Sequence, residues 1–184
     1  MENTEEKDYE EWCNELVTEK IGDLASYHLL TWLHSIEYFD APAAKSHHGA
    51  SKSGLLRHSL QVAAELRTLT DKLGLKWIRP ESPEIIGLLH DVCKTDDYKW
   101  DWKVSKDHIE WNDDQIMEGH GDKSVLMIAG HFDLTEEEAA CIQFHMGAFT
   151  DKEQWKYYSK AIKKWPNVLY THTADMIASQ IVGI

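Results

Sequence analysis

Gly87-Leu88-Leu89-His90-Asp91-Val92-Cys93-Lys94 decides how this chain is read. Upstream, Ile85 and Ile86 continue the apolar run, and Ser82-Pro83 supplies an N-cap and a first helical residue. A buried helix is expected that delivers an imidazole and a carboxylate side by side at its end, with Lys94 one turn on. Similar contexts recur along the chain. His58 interrupts the apolar stripe of Leu55, Val62, Leu66 and Leu69. His145 lies in Ile142-Gln143-Phe144-His145-Met146, and Asp175 in Thr173-Ala174-Asp175-Met176-Ile177-Ala178. His120 differs, sitting between Gly119 and Gly121 in a turn that enters a helix.

One histidine on an apolar helix face is ordinarily a hydrogen-bonded core residue. Candidates on several separate helical segments shift that balance towards a shared site. A buried ionised aspartate costs several kcal/mol unless it is paired or metal-bound, so Asp175 calls for a nearby cation. Imidazole nitrogens mixed with carboxylate oxygens suit iron, manganese, cobalt, nickel or zinc better than calcium or magnesium. Metal binding by His58, His90, Asp91 and Asp175 is the expectation.

Nearly every periodic segment has helical spacing. Helices are predicted over 8–21 (Tyr9, Trp12, Leu16, Val17), 23–38 (Leu24, Tyr27, Leu30, Trp32, Leu33) and 55–73. Gly74 closes the third of these. Others are expected from Ser82 to His90-Asp91 and near 121–131, 135–147, 151–164 and 167–182, with Thr135 and the following glutamates as a capped start. The exception is 98–113, where Lys99-Trp100-Asp101-Trp102-Lys103-Val104 alternates polar and bulky residues. That pattern predicts a short β-hairpin, read first as a flap over the core and second as an aromatic lid in which Trp100, Trp102 or Trp111 stacks on a base. No repeat or low-complexity linker appears, so residues 1–184 read as one all-α domain, with the helices of 8–38 packed on a core of about 40–180.

Lysine plus arginine number 19 against 32 aspartates plus glutamates, a formal net charge of −13. Such a surface argues against a nucleic-acid polymer as partner, because phosphate chains are held by basic patches. The odd cysteines, Cys13, Cys93 and Cys141, have no CxxC spacing and do not suggest a disulfide framework. No apolar run approaches the roughly 20 residues of a membrane span, and the acidic start is unlike a signal peptide. The expectation is a soluble, cytoplasmic protein.

Gly54-Leu55-Leu56-Arg57-His58-Ser59, then Leu88 to Lys94, then Leu169-Tyr170-Thr171-His172-Thr173-Ala174-Asp175 resemble the successive motifs of the HD-domain superfamily of metal-dependent phosphohydrolases. His47-His48-Gly49-Ala50-Ser51-Lys52-Ser53-Gly54 is also similar to the loop before the first metal histidine in HD domains of bacterial 3′→5′ exoribonucleases and some conjugative relaxases. The resemblance implies a helical bundle with its metal site inside. It matches His58, His90, Asp91 and Asp175 to the ligands of a first ion and His120 and His145 to the extra pair of binuclear members, with Asp91 bridging. It further implies that Asp91 orients the attacking water and that Lys94, as in HDxxK motifs, meets the phosphate. His48, Lys52 and Lys123 are additional phosphate-binding candidates, joined more weakly by His47 and Arg57, while His172 could brace a ligand.

The resulting expectation is a phosphohydrolase holding two divalent transition-metal ions and acting on a nucleotide or other small phosphate ester. Two other readings use the same ligand set: a mixed-valent di-iron oxygenase, and a 3′→5′ single-strand nuclease. A homo-oligomer is compatible with the tryptophan-rich stretches, which core packing explains equally well.

Overall fold

The structure is a computed structural model that describes residues 9–46, 49–101, 103–105 and 107–184. Its helices are α1 (Tyr9–Ile21), α2 (Asp23–Ser35), α3 (Gly54–Leu73), α4 (Ser82–Leu89), α5 (Lys94–Asp97), α6 (Gly121–Ile128), α7 (Glu136–Gln143), α8 (Trp155–Lys164) and α9 (Asn167–Met176). Short 3-10 turns at Gly147–Phe149 and Lys152–Gln154 precede α8, and a π-helical turn, Ile177–Val182, follows α9. The fold is thus mostly helical, as the periodicity indicates. The expected hairpin is present as β1 (Tyr98–Trp100) and β2 (Ile109–Trp111), antiparallel with Tyr98 opposite Trp111.

Helix α4 is the axis of the core. Every residue from Ser82 to Cys93 is buried, which is why its sequence lacks a polar face. It crosses α3 at Gly87, where a Cβ would lie 2.4 Å from the backbone of Ala63. Only glycine permits that approach, and the approach sets His90 against His58. Helices α7 and α9 pack together; α7 also meets α4, α9 meets α3, and α1 closes the far side against α3 and α4. Helices α3, α4, α7 and α9 therefore bring their polar residues to one interior point, and α6, packed on α7, adds His120.

Local chemistry explains most element ends. Thr135 caps α7 through a capping box with Glu138, and Gly74 ends α3 at φ 65°, ψ 38°. The expected Ser82 cap is not formed. The helix begins with Ser82 already inside, and its hydroxyl donates to Glu138 Oε1 over 2.7 Å instead. In α1 and α2 the expected faces are kept at Val17, Trp32 and Leu33, which are buried, but Cys13 and Leu29 join them while Trp12 and Tyr27 are exposed. Among the described residues, no helix is long and apolar enough to cross a membrane.

Candidate metal centre

Five helices, α3, α4, α6, α7 and α9, and the turns at their ends bring the histidines and aspartates together. His58 comes from the first turns of α3, His90 caps the C-terminus of α4, and Asp91 follows in the tight turn that begins α5. His120 caps α6, His145 follows α7, and Asp175 projects from the last turn of α9. His58, His90, Asp91 and His145 are all buried. Two consecutive ligands can face one centre because helical bonding gives way after His90 to tighter turns, with Val92 N–H donating to the Leu89 carbonyl over 3.3 Å and Lys94 N–H to the Asp91 carbonyl over 3.0 Å.

The imidazoles are oriented by the backbone. His90 Nδ1–H donates to the Gly87 carbonyl (2.9 Å), His145 Nδ1–H to Ile142 (2.6 Å) and His58 Nδ1–H to Ile184 (2.9 Å). A carbonyl only accepts, so each Nδ1 carries a proton, and each ring in its neutral form presents a lone pair at Nε2. Those lone pairs converge. His90 Nε2 is 3.3 Å from His58 Nε2, and His58 Nε2 is 3.2 Å from Asp175 Oδ1.

Asp91 stands between two groups of donors. Its Oδ2 faces His90 Nε2 at 3.8 Å and His58 Nε2 at 4.0 Å. Its Oδ1 lies 2.8 Å from His120 Nε2 and 3.3 Å from His145 Nε2. These are ion-pair distances, but the alignment is not that of hydrogen bonds: Asp91 Oδ1 and His145 Nε2 are both buried without a hydrogen-bond partner. Buried acceptors that converge on one point without donors repel one another unless a cation lies between them. The donor set therefore fits a divalent transition metal.

The charges follow the same logic. Burial would raise the Asp91 pKa, but the facing His120 and His90 hold the carboxyl well below its usual range. Asp175 is also lowered, against its burial, by the His58 hydrogen bond. Burial pushes His90 down to about 4, whereas His58 and His145 are raised despite burial by their carboxylate neighbours. Without a metal, protons on His58 and His145 provide the positive charge that the two carboxylates require.

An HD-domain family model matches residues 55–175. The chain belongs to the HD-domain family. Membership places it among metal-dependent hydrolases whose domains bind divalent metals. Neither the curated proteins nor the solved structures gave a match to the chain.

The HD centre opens into a cavity of about 620 Å³. Its floor carries His58, Asp91, His120 and Asp175, with Lys94 beside them. Burial depresses the Lys94 pKa, but the Asp91 charge outweighs it and the net shift is upward, so the ammonium stays charged. The other lysines are elsewhere. Lys123 is buried, and its ammonium donates to Asp97 (2.7 Å), Asp96 (2.7 Å) and Gln115 (2.8 Å), three acceptors that account for its three donors. It pins α6 to α5 and does not line the metal pocket. Lys52 pairs with Asp40 at 3.1 Å beside a separate groove under the hairpin. Arg57 bonds Ser51. His47, His48 and Trp102 lie outside the described residues.

The aromatic-lid reading is not what the structure places at the centre. Trp100 lines the separate groove, and Trp111 packs edge-on against Tyr98 with ring centroids 5.6 Å apart. Neither lines the metal pocket. Two contributors, Cys93 and Ile184, went unread in the sequence, and a third, His172, sits behind a ligand as anticipated. Cys93 Sγ is 3.5 Å from His120 Nδ1 and supports the ring that has no backbone carbonyl behind it. His172 Nδ1–H donates to the His145 carbonyl over 2.8 Å, bracing the turn that carries that ligand. The Ile184 carbonyl fixes His58 because the π-helical turn folds back over α3. Cys93 had a signal, its place inside the quoted motif; the Ile184 contact had none.

Proposed function

We propose that this HD domain is a phosphohydrolase that cleaves a nucleotide or other small phosphate ester with two divalent ions at its centre. The observation that carries the reading is the split orientation of Asp91, with one carboxylate oxygen towards His58 and His90 and the other towards His120 and His145. His58, His90, Asp91 and Asp175 would hold one ion, and Asp91, His120 and His145 the other. When bound, such ions polarise a phosphoryl oxygen and acidify a coordinated water.

The chain's own residues supply the rest. Asp91 sits centrally, at the meeting of both donor groups, where its carboxylate can accept a hydrogen bond from the attacking water and aim it. Lys94 offers an ammonium beside that carboxylate, suited to a non-bridging phosphoryl oxygen and to the charge that grows on it in the transition state. Its Nζ also lies 5.5 Å from the Tyr98 ring centroid, a cation–π contact that helps to hold the ammonium in place. His58, His90 and His145 are buried, so these charges act strongly in a surrounding of low polarity. Lys94 also favours phosphate chemistry over the oxygenase alternative, because a cation beside the site has an obvious role with an anionic ester.

The test is phosphate release from a panel of nucleotides and sugar phosphates under manganese, cobalt, nickel, zinc and iron, with His58→Ala and Asp175→Ala as controls. Metal-dependent release lost in both variants is expected. A tightly bound mixed-valent di-iron centre with no release would replace the reading by the oxygenase one.

A further inference from the structure

We infer that the pocket selects an ester bearing a single phosphate and a flat aromatic or base-like body, with the ring stacked on Phe149. This rests on the phosphohydrolase reading and narrows its substrate class. Two observations carry it, one about charge and one about the wall.

Among the described residues lining the pocket, Lys94 is the one side chain with a permanent positive charge. It stands at the floor, beside Asp91. Above it the wall turns apolar, with Met146, Phe149 and Met176. A second or third phosphate would lie against those side chains, where the polar groups among the described residues, Ser179, Gln180 and His172, carry no permanent positive charge. Burying an unpaired anionic group against apolar surface is costly. Among the described residues, the neighbouring groove provides no cationic track either. Lys52 there is paired with Asp40, and Lys99 sits 3.6 Å from Asp114 and 3.9 Å from Glu110.

The wall itself is built to receive an apolar face. Phe149 is 69% exposed although it lines the cavity, so its ring face is available at the mouth. Its position is fixed from below. Gly147 adopts φ +55°, and a Cβ there would fall 2.4 Å from the His172 ring, so the 3-10 turn is seated directly on that imidazole. Trp155 Nε1–H donates to the Thr150 carbonyl over 2.8 Å and holds the other end of the turn. The thioethers of Met146 and Met176 are polarisable and adapt readily to an aromatic ring. The cavity of about 620 Å³ accommodates a ligand of nucleotide size.

The experiment measures kcat and KM for phosphate release from AMP, ADP, ATP and ribose 5-phosphate with the manganese-reconstituted protein. In parallel, calorimetry measures affinities for phosphonate analogues of the three nucleotides in which a methylene replaces the 5′ oxygen. AMP and its analogue should be preferred over the di- and triphosphates by about tenfold or more, equivalent to about 1.4 kcal/mol. In Phe149→Ala, KM for AMP should rise about tenfold, the range of a lost base stack, with kcat nearly unchanged and ribose 5-phosphate unaffected. Phe149→Trp should restore the preference for AMP. Equal or tighter binding of the triphosphate analogue would overturn the single-phosphate claim. An AMP to ribose 5-phosphate ratio unmoved by Phe149→Ala would overturn the stacking. Selective binding of the AMP analogue without release from any compound would sink the hydrolase reading while leaving the pocket's selectivity standing.

Discussion

Helix α4 ends in two buried polar clusters of opposite character. At its N-terminus, Glu138 accepts from Ser82 Oγ (2.7 Å), Arg79 (2.7 Å) and Thr135 N–H (2.8 Å). Glu137 beside it accepts from Ile78 N–H and Asn167. At the C-terminus, His90 and Asp91 meet three more imidazoles and a second carboxylate, and buried acceptors there face one another without donors. Both clusters concentrate charge among apolar helices. The first is complete within the chain and fastens α4 to α7; the second is completed by a cation from outside. A buried polar cluster thus reveals its purpose through what its hydrogen bonds leave unsatisfied.

Substitutions should separate the two ends. Asp91→Asn is expected to reduce phosphate release about a thousandfold or more, in line with losing a centrally placed charge, and to strip metal from the protein. Its metal-free melting temperature should not fall, because the amide offers donors to the neighbouring Nε2 atoms. Glu138→Ala should do the reverse. Loss of the buried carboxylate and its capping box should cost about 3 kcal/mol, or about 6–12 °C in melting temperature, with metal content per folded chain unchanged. A fall in metal content in Glu138→Ala would remove the distinction.

The two buried or half-buried lysines extend the comparison. Lys94→Ala should lower kcat about a hundredfold while metal content is kept. Lys123→Met should instead destabilise the fold, by leaving Asp96 and Asp97 facing each other, and leave kcat of the folded protein near wild type. A smaller effect is expected for Cys93→Ala, about tenfold in metal affinity, because only the support behind His120 is lost. It should add nothing to a His120→Ala variant.

The smallest effect is a matter of pH. His58 and His145 have raised pKa values, so the stability they contribute to the metal-free fold is full below about 6.5, the ordinary histidine value, and is lost as pH rises through their folded values. Metal binding displaces those protons. The melting-temperature gain produced by a fixed metal concentration should therefore grow as pH rises through that window. A gain that shrinks over the same range would contradict the exchange of protons for metal.

Much of the site was legible because His58, His145 and Asp175 each interrupt an apolar helical stripe, and a charge in such a stripe needs a partner. The hairpin was legible from alternation alone. What eluded the sequence depends on how the chain turns between elements. Lys123 resembles a surface cation in its glycine-flanked stretch; its seat against Asp96 and Asp97 exists only because α5 and α6 lie together. The hydroxyl of Ser82 was available for a cap, but Glu138 from α7 is a charged and therefore stronger acceptor. The Ile184 carbonyl reaches His58 only through the fold-back after α9.

The measurement that tests the centre most directly is metal stoichiometry after reconstitution and removal of loose ions. Two divalent ions per chain in the wild type, one in His145→Ala and none in Asp91→Asn is the expected pattern. A wild-type chain that binds no ion, or whose stoichiometry is unchanged in Asp91→Asn, would contradict the assignment of these six residues to a metal pair.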